Sequence, residues 1–143
     1  MGKFFGTYQR SLDTKGRLLI PSKLLSEGVK SYYILRGFEG CLSVYEEDAF
    51  EKLQAKLESM DFMDPESRTF IRLVSSSIQE LPLDSHGRVL LGKDTCRDYA
   101  IGENVTIIGV LDHFEIWDAM AYARYNLENS KNYETLANRR KNG

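Results

Sequence analysis

The sequence predicts an α+β fold made of two tandem copies of one strand-rich unit, each followed by a helix. Two observations carry that expectation. First, the chain repeats itself. Residues 12–24 read LDTKGRLLIPSKL and residues 83–95 read LDSHGRVLLGKDT, so Asp13/Asp84, Gly16/Gly87 and Arg17/Arg88 fall in register at an offset of 71. A second echo follows at an offset of 72, where CLSVYEEDAF (41–50) aligns with HFEIWDAMAY (113–122). Leu42 meets Phe114, Val44 meets Ile116, Tyr45 meets Trp117 and Phe50 meets Tyr122. Second, apolar spacing switches between period two and a three-four stripe in the same order in both copies. A half of roughly 70 residues would be marginal alone, and two halves can pack as a pseudo-twofold pair that completes a common core.

Residues 4–12 are aromatic and β-branched enough for a strand. Asp13-Thr-Lys-Gly16 is a turn, because Asp can bond its own following backbone and Gly tolerates positive φ. Arg17 to Ile20 is a short strand, ended by Pro21, and 21–26 suit a short helical turn. Tyr32 to Arg36 and Leu42 to Tyr45 are strands joined by a loop with Gly37 and Gly40. Phe50, Leu53, Leu57 and Met60 give 46–60 a helical stripe with an acidic opposite face. Asp64-Pro65 is a helix start, with Phe70, Leu73 and Val74 as its apolar face and Arg68 and Arg72 opposite. The second copy repeats the order: strand 78–83, turn 84–87, strand 88–91, short helix 93–100, strands 105–110 and 114–117. Asp118 then caps a closing helix with Met120, Tyr122, Tyr125 and Leu127 as apolar candidates, then Leu136, before a polar, frayed end from Asn138. The expected division is 4–62 for the first repeat, 63–76 for a connecting helix, 77–125 for the second repeat, and 126–143 for a C-terminal helix and tail.

With 143 residues, 42 % apolar and 28 % charged, the composition is that of an ordinary globular chain. No run approaches the ~20 apolar residues of a membrane span, and the opening Met1-Gly-Lys-Phe-Phe-Gly has no signal-peptide core. Cys41 and Cys96 lack metal-ligand spacing and read as reduced, intracellular thiols. The net charge of −2 is unevenly spread. Residues 1–36 carry seven Lys/Arg against two Asp/Glu, 37–66 two against nine, 67–97 five against three, and 98–143 five against seven. Positive charge therefore gathers around both repeated turns, and local potential steers an anionic partner.

Asp and Arg four apart across a Gly turn have two physical uses. The pair can be a salt bridge that fixes the turn. The turn can also hold Arg17, Arg88 and Lys15 firmly enough to meet a phosphate or the O6/N7 edge of guanine. Both uses can hold together, with Asp13, Gly16, Asp84 and Gly87 structural and the basic residues functional. A two-stranded ribbon carrying such side chains can enter a major groove.

The stretches LDTKGRLLIPSKL with YYILRGFEGCLSVY, and LDSHGRVLLGKD with VTIIGVLDHFEIWD, strongly resemble the MraZ family over about residues 4–137. That resemblance implies two tandem SpoVT/AbrB-type swapped-hairpin repeats forming a pseudo-dimeric β-barrel core with packed helices. It also implies a sequence-specific regulator of transcription of the division and cell-wall gene cluster. Such a regulator binds G-rich direct repeats of double-stranded DNA in its own promoter. By the same resemblance it is cytoplasmic and nucleoid-associated, and forms a homo-oligomeric ring, an octamer or dodecamer. Arg17 and Arg88 fall on the family's motif arginines, Asp13 and Asp84 on its motif acids, and Lys15 on the basic turn residue. The second copy departs from the pattern, with His86 in place of Lys15 and Gly92 in place of Pro21. His86 is mostly uncharged near neutral pH, so it is either a single-bond DNA contact or an exposed turn residue. The first copy is expected to carry more of the phosphate contact.

An enzyme needs a constellation, and His86 and His113 are the chain's two histidines, neither in triad or ligand spacing with Cys41 or Cys96. No GxxxxGK[ST] or GxGxxG occurs, so no nucleotide cradle is indicated. The expectation is a non-enzyme with no catalytic residues, no metal, no cofactor, no small-molecule substrate and no membrane partner. The competing reading is a non-catalytic ring-forming scaffold or an AbrB-type antitoxin-like module. A single copy with a long disordered tail would favour the latter, and this chain has two copies and little tail.

Overall fold

The computed structural model describes residues 3–142. In chain order it contains β1 (Thr7–Ser11), β2 (Arg17–Leu19), a 3-10 turn (Ser22–Leu24), β3 (Ser31–Arg36), β4 (Leu42–Tyr45), α1 (Glu47–Glu58), α2 (Pro65–Ser77), β5 (Gln79–Pro82), β6 (Arg88–Leu90), α3 (Lys93–Asp98), β7 (Asn104–Gly109), β8 (Phe114–Asp118), α4 (Ala119–Ser130) and α5 (Tyr133–Asn142). The fold is α+β. Six strands form one sheet in the order β1-β7-β8-β4-β3-β5, and β2 pairs with β6 in a separate ribbon. Every pairing is antiparallel. Exchanging the copies and reading the sheet backwards leaves its order unchanged, so a pseudo-twofold axis runs between β4 and β8.

The copies exchange strands. β1 leaves its own copy to pair with β7, with Tyr8 opposite Ile107. β5 does the reciprocal, pairing with β3 with Tyr32 opposite Leu81. β2 and β6 meet across the copies with Leu18 opposite Val89. The barrel expected from the resemblance is not closed by hydrogen bonds, because β1 and β5 end the six-stranded sheet as edges. The ribbon instead turns its inner residues into the common core.

That core is drawn from both halves. Leu18, Ile20, Tyr32, Ile34, Leu42 and Val44 pack with Val89, Leu91, Val105, Ile107, Phe114 and Ile116 in one cluster. Phe114 sits at its centre, edge-on to Phe4 at 5.5 Å and to Tyr32 at 5.6 Å. Such edge-to-face pairs add a modest aromatic contribution to apolar burial. Outside the sheet a second cluster joins Leu35, Tyr45 and Val74 to the apolar stripe of α1. Tyr33 stacks on Phe50 there, with centroids 4.1 Å apart.

Both anticipated helix caps form. The Ser67 backbone N–H donates to Asp64 Oδ2 at 2.9 Å, with Pro65 in the first turn. The Ala121 N–H donates to Asp118 Oδ2 at 3.2 Å. Each side-chain oxygen satisfies a backbone donor that the first helical turn leaves free. The apolar faces differ from expectation. In α2, Val74 is buried in this second cluster, whereas Phe70 and Leu73 are exposed and outside it. Met120, Leu127 and Leu136 are exposed as well, and the closing helix docks through Tyr122 and Tyr125 against Trp117. The polar end expected to fray from Asn138 continues α5 as far as Asn142. Gly143, and the opening Met1-Gly2 of the signal-peptide reading, lie outside the described residues. No helix among the described residues is long and apolar enough to cross a membrane.

Two expectations follow from this packing. Leu18→Ala leaves a void beneath the ribbon and should cost about 3 kcal/mol in urea unfolding, since Leu18 is 0 % exposed; a loss below about 1 kcal/mol would mean the ribbon is not part of the core. His113 lies between the Asp112 carboxylate at 2.7 Å and the Glu115 carboxylate at 3.7 Å, stacked on Tyr45. Burial alone would lower its pKa, but Glu115 and Asp112 outweigh burial and raise it above its usual 6.5. A raised folded value stabilises fully below the unfolded value and is lost as pH rises through the folded one. The stability difference between wild type and His113→Gln should therefore be larger at pH 6 than at pH 8. Equal differences at both pH values would contradict the assigned ion pairs.

Candidate nucleic-acid interface

The two repeated turns have nearly the same atomic construction. In the first, the Gly16 N–H closes the turn on the Asp13 carbonyl at 3.0 Å, and the Asp13 N–H returns to the Arg17 carbonyl at 3.0 Å. Asp13 Oδ1 accepts the Lys15 and Arg17 backbone N–H groups, each at 2.9 Å, and Oδ2 accepts Arg17 Nε at 2.6 Å. In the second, Asp84 Oδ1 accepts the His86 N–H at 2.8 Å and the Arg88 N–H at 2.9 Å, and Oδ2 accepts Arg88 Nε at 3.1 Å. Gly16 and Gly87 sit at φ +81° and +78°, a region that a Cβ strongly disfavours. Asp, Gly and Arg at this spacing are thus the minimum set that closes the turn and tethers its guanidinium.

The Arg17 backbone N–H, followed by its side chain and the Lys15 N–H, holds the Asp13 carboxyl below the usual carboxylate range. The Arg88 N–H leads the same effect on Asp84. Both acids are therefore ionised at any physiological pH and keep their partners in place.

The arginines are tethered but not enclosed. Their side chains are 32 % and 28 % exposed. Each spends Nε on its own Asp. Among the described residues Arg17 makes no further polar contact through Nη1 or Nη2, and Arg88 Nη1 and Nη2 have only distant neighbours, Asp13 Oδ2 at 4.0 Å and His86 Nδ1 at 3.5 Å. The geometry refines the simple outward-pointing picture: one edge of each guanidinium is fixed and the other is offered. Lys15 is exposed at its turn, and His86 is exposed beside Arg88 and Ser85.

Strand exchange brings all of these residues onto one ribbon. Arg17 pairs with Leu90, and Arg88 with Leu19. The Ile20 N–H donates to the Gly87 carbonyl at 2.9 Å, and the Leu91 N–H to the Gly16 carbonyl at 3.0 Å. Each turn is thus locked by the opposite copy. The sequence reading missed two contributions. Lys93 of the second copy lines a shallow cleft of about 390 Å³ together with Asp13, Thr14 and Gly16 of the first turn. Leu19 and Leu90 share the ribbon face of the arginines and are 47 % and 52 % exposed. The period-two order of RLL and RVL was the available signal for the leucines; nothing in the linear sequence signalled Lys93.

The copies part ways after the ribbon. Pro21 (φ −55°) leads into a single 3-10 turn, whereas Gly92 (φ +85°) allows a different exit into α3. The substitution marked in the sequence therefore changes the flank of the site and leaves its turns alike. Elsewhere, Cys41 is buried next to Glu115, and burial pushes its thiol up to about 12, which leaves it protonated and a poor nucleophile. Both cysteines are free. Among the described residues, no group of three His, Cys, Asp or Glu side chains is placed to hold a metal ion.

A family model described as "MraZ protein, putative antitoxin-like" matches residues 3–73 and 76–142, one stretch per copy. Among relatives named transcriptional regulator MraZ, that of Lactiplantibacillus plantarum is 36 % identical over 135 residues, covering 94 % of this chain and 95 % of the relative. Those of Acetivibrio thermocellus and Moorella thermoacetica are 37 % and 38 % identical over 136 residues, each covering 94 % of both chains. With the doubled motif, the exchanged strands and these end-to-end matches agreeing, the chain belongs to the MraZ family.

Proposed function

We propose that this chain is a non-enzymatic transcriptional regulator that binds double-stranded DNA through the β2–β6 ribbon and its two turns. The observation that carries the reading is the joining of both Asp-x-x-x-Arg turns on one face, with Lys15, Arg17, His86 and Arg88 presented together and their acids already bound. An arginine fixed along one edge offers its remaining N–H groups at little entropic cost, and suits phosphate oxygens or guanine O6/N7. The names of the relatives support the same reading.

The finer assignment follows the family pattern. The target is a set of G-rich direct repeats in the protein's own promoter, upstream of the division and cell-wall gene cluster, and the protein works in the cytoplasm at the nucleoid. The working division keeps 4–62 and 77–125 as the two repeats, joined by 63–76 and followed by 126–143. Self-assembly into a ring of eight or twelve copies has physical support in the exposed apolar residues away from the ribbon. Phe38 stacks on Phe70 at 6.4 Å, and Leu73 is exposed on the same helix. On the closing helices, Met120, Leu127 and Leu136 are exposed. Phe38, Phe70 and Leu73 line one cleft, and contiguous apolar surface of that kind marks protein contacts.

In a mobility-shift titration against DNA upstream of the gene, Arg17→Ala should weaken binding at least tenfold. It should also reduce the slope of log K against log salt by about one. Unchanged affinity at two salt concentrations would remove Arg17 from the interface. His86→Ala should have a smaller effect than Lys15→Ala, because the first turn carries the lysine that neutralises a phosphate. Repeats spaced about one helical turn, ~10 bp, should bind a ring far more tightly than one repeat. Equal affinity for one repeat and for an array would contradict ring avidity.

A further inference from the structure

The ribbon's outward face holds two leucines among its cations. Leu18 and Val89 point inward, 0 % and 1 % exposed. Strand alternation then places Arg17, Leu19, Arg88 and Leu90 on the opposite face. A single exposed leucine carries no information. Here two occur at equivalent positions of the repeat, each across the ribbon from the other copy's arginine. Lys15 and His86 are exposed at the adjoining turns. A face of two apolar points ringed by basic groups fits a partner with apolar points ringed by anions.

The DNA major groove is such a surface. Phosphates line its edges, and the C5-methyl of each thymine projects into it. Spacing agrees as well. Residues two apart on a strand are separated by about 6.8 Å, which is two rises of about 3.4 Å along the duplex. Double-stranded RNA keeps the phosphates but carries uracil, which has no C5-methyl, and side chains cannot read its deep, narrow major groove.

Resting on the DNA-binding reading above, we infer that Leu19 and Leu90 are specificity-determining residues that each pack against a thymine C5-methyl. Each methyl lies about two base pairs from the site met by the arginine of the same strand. Leu19 and Leu90 add discrimination, while Arg17, Arg88 and Lys15 supply the salt-dependent attraction.

The test uses the full chain and a duplex of the DNA upstream of its gene, with thymines replaced one at a time by deoxyuridine. That exchange removes the methyl and keeps the base pair. Wild type should lose roughly fourfold in affinity at one or more positions, as expected for one buried methyl group, with the salt slope unchanged. Leu19→Ala and Leu90→Ala should bind unmodified DNA more weakly and become insensitive to deoxyuridine at those positions. Leu19→Met, which keeps an apolar side chain, should retain the sensitivity, and urea midpoints should show all variants folded.

Indifference of wild type to every deoxyuridine, or full sensitivity in the alanine variants, would overturn the inference. So would a changed oligomeric state of the alanine variants by light scattering without any change in deoxyuridine response, because the leucines would then join copies of the chain. Failure of the underlying reading looks different. In that case wild type would show no salt-dependent binding to the unmodified duplex, and Arg17→Ala would change nothing.

Discussion

The structure depends on two backbone hydrogen bonds that neither copy can make alone. The Gly16 carbonyl accepts the Leu91 N–H, and the Gly87 carbonyl accepts the Ile20 N–H. Positive φ at both glycines closes the turns whose carbonyls take part in this exchange. Buried backbone groups left without partners are costly, so each copy would carry unsatisfied strand edges without the other. The crossed pairings of β1 with β7 and β5 with β3 extend the same constraint through the sheet. A core of equivalent residues from both copies then forms around Phe114.

The exchange also shapes the interface. Two turns more than 70 residues apart in sequence become one ribbon because β2 and β6 have no other partner. Within each turn the carboxylate does three tasks: it accepts two backbone donors, neutralises part of a guanidinium, and fixes that guanidinium's direction. A tethered arginine loses less freedom when it meets a ligand. The tether also uses part of the charge of Arg17, and Lys15 at the same turn forms no ion pair among the described residues. The acidic residues that make the whole chain net negative are concentrated in and around α1, on the outer face of β3. Net charge therefore describes this protein poorly, and the local field at the ribbon describes it better.

Much of this was legible in the residues themselves. The Asp-x-x-Gly-Arg turns, the strand–turn–strand order, and the caps at Asp64 and Asp118 all rest on local chemistry, and local chemistry is written in short stretches of sequence. What was not legible is what depends on distant partners. No periodicity says that β1 pairs with β7, or that Lys93 stands beside Gly16. The exposure of Phe70, Leu73, Met120 and Leu127 was hidden for a related reason: an apolar stripe states that a face avoids water, not which surface covers it. The tether of Nε to Asp13 was one of two uses open to the motif, and only three-dimensional geometry shows that it coexists with an offered guanidinium edge.

The central claim is that each turn is held rigid by the opposite copy. Native-state hydrogen exchange of the Ile20 and Leu91 amides tests it most directly, because these two N–H groups tie the glycine carbonyl of each turn to the opposite copy. The account predicts that both exchange only through global unfolding, with equal free energies that match the denaturant value. Exchange of either amide by local opening, at a free energy well below the global one, would show that its turn is held by its own copy alone, and would contradict the account.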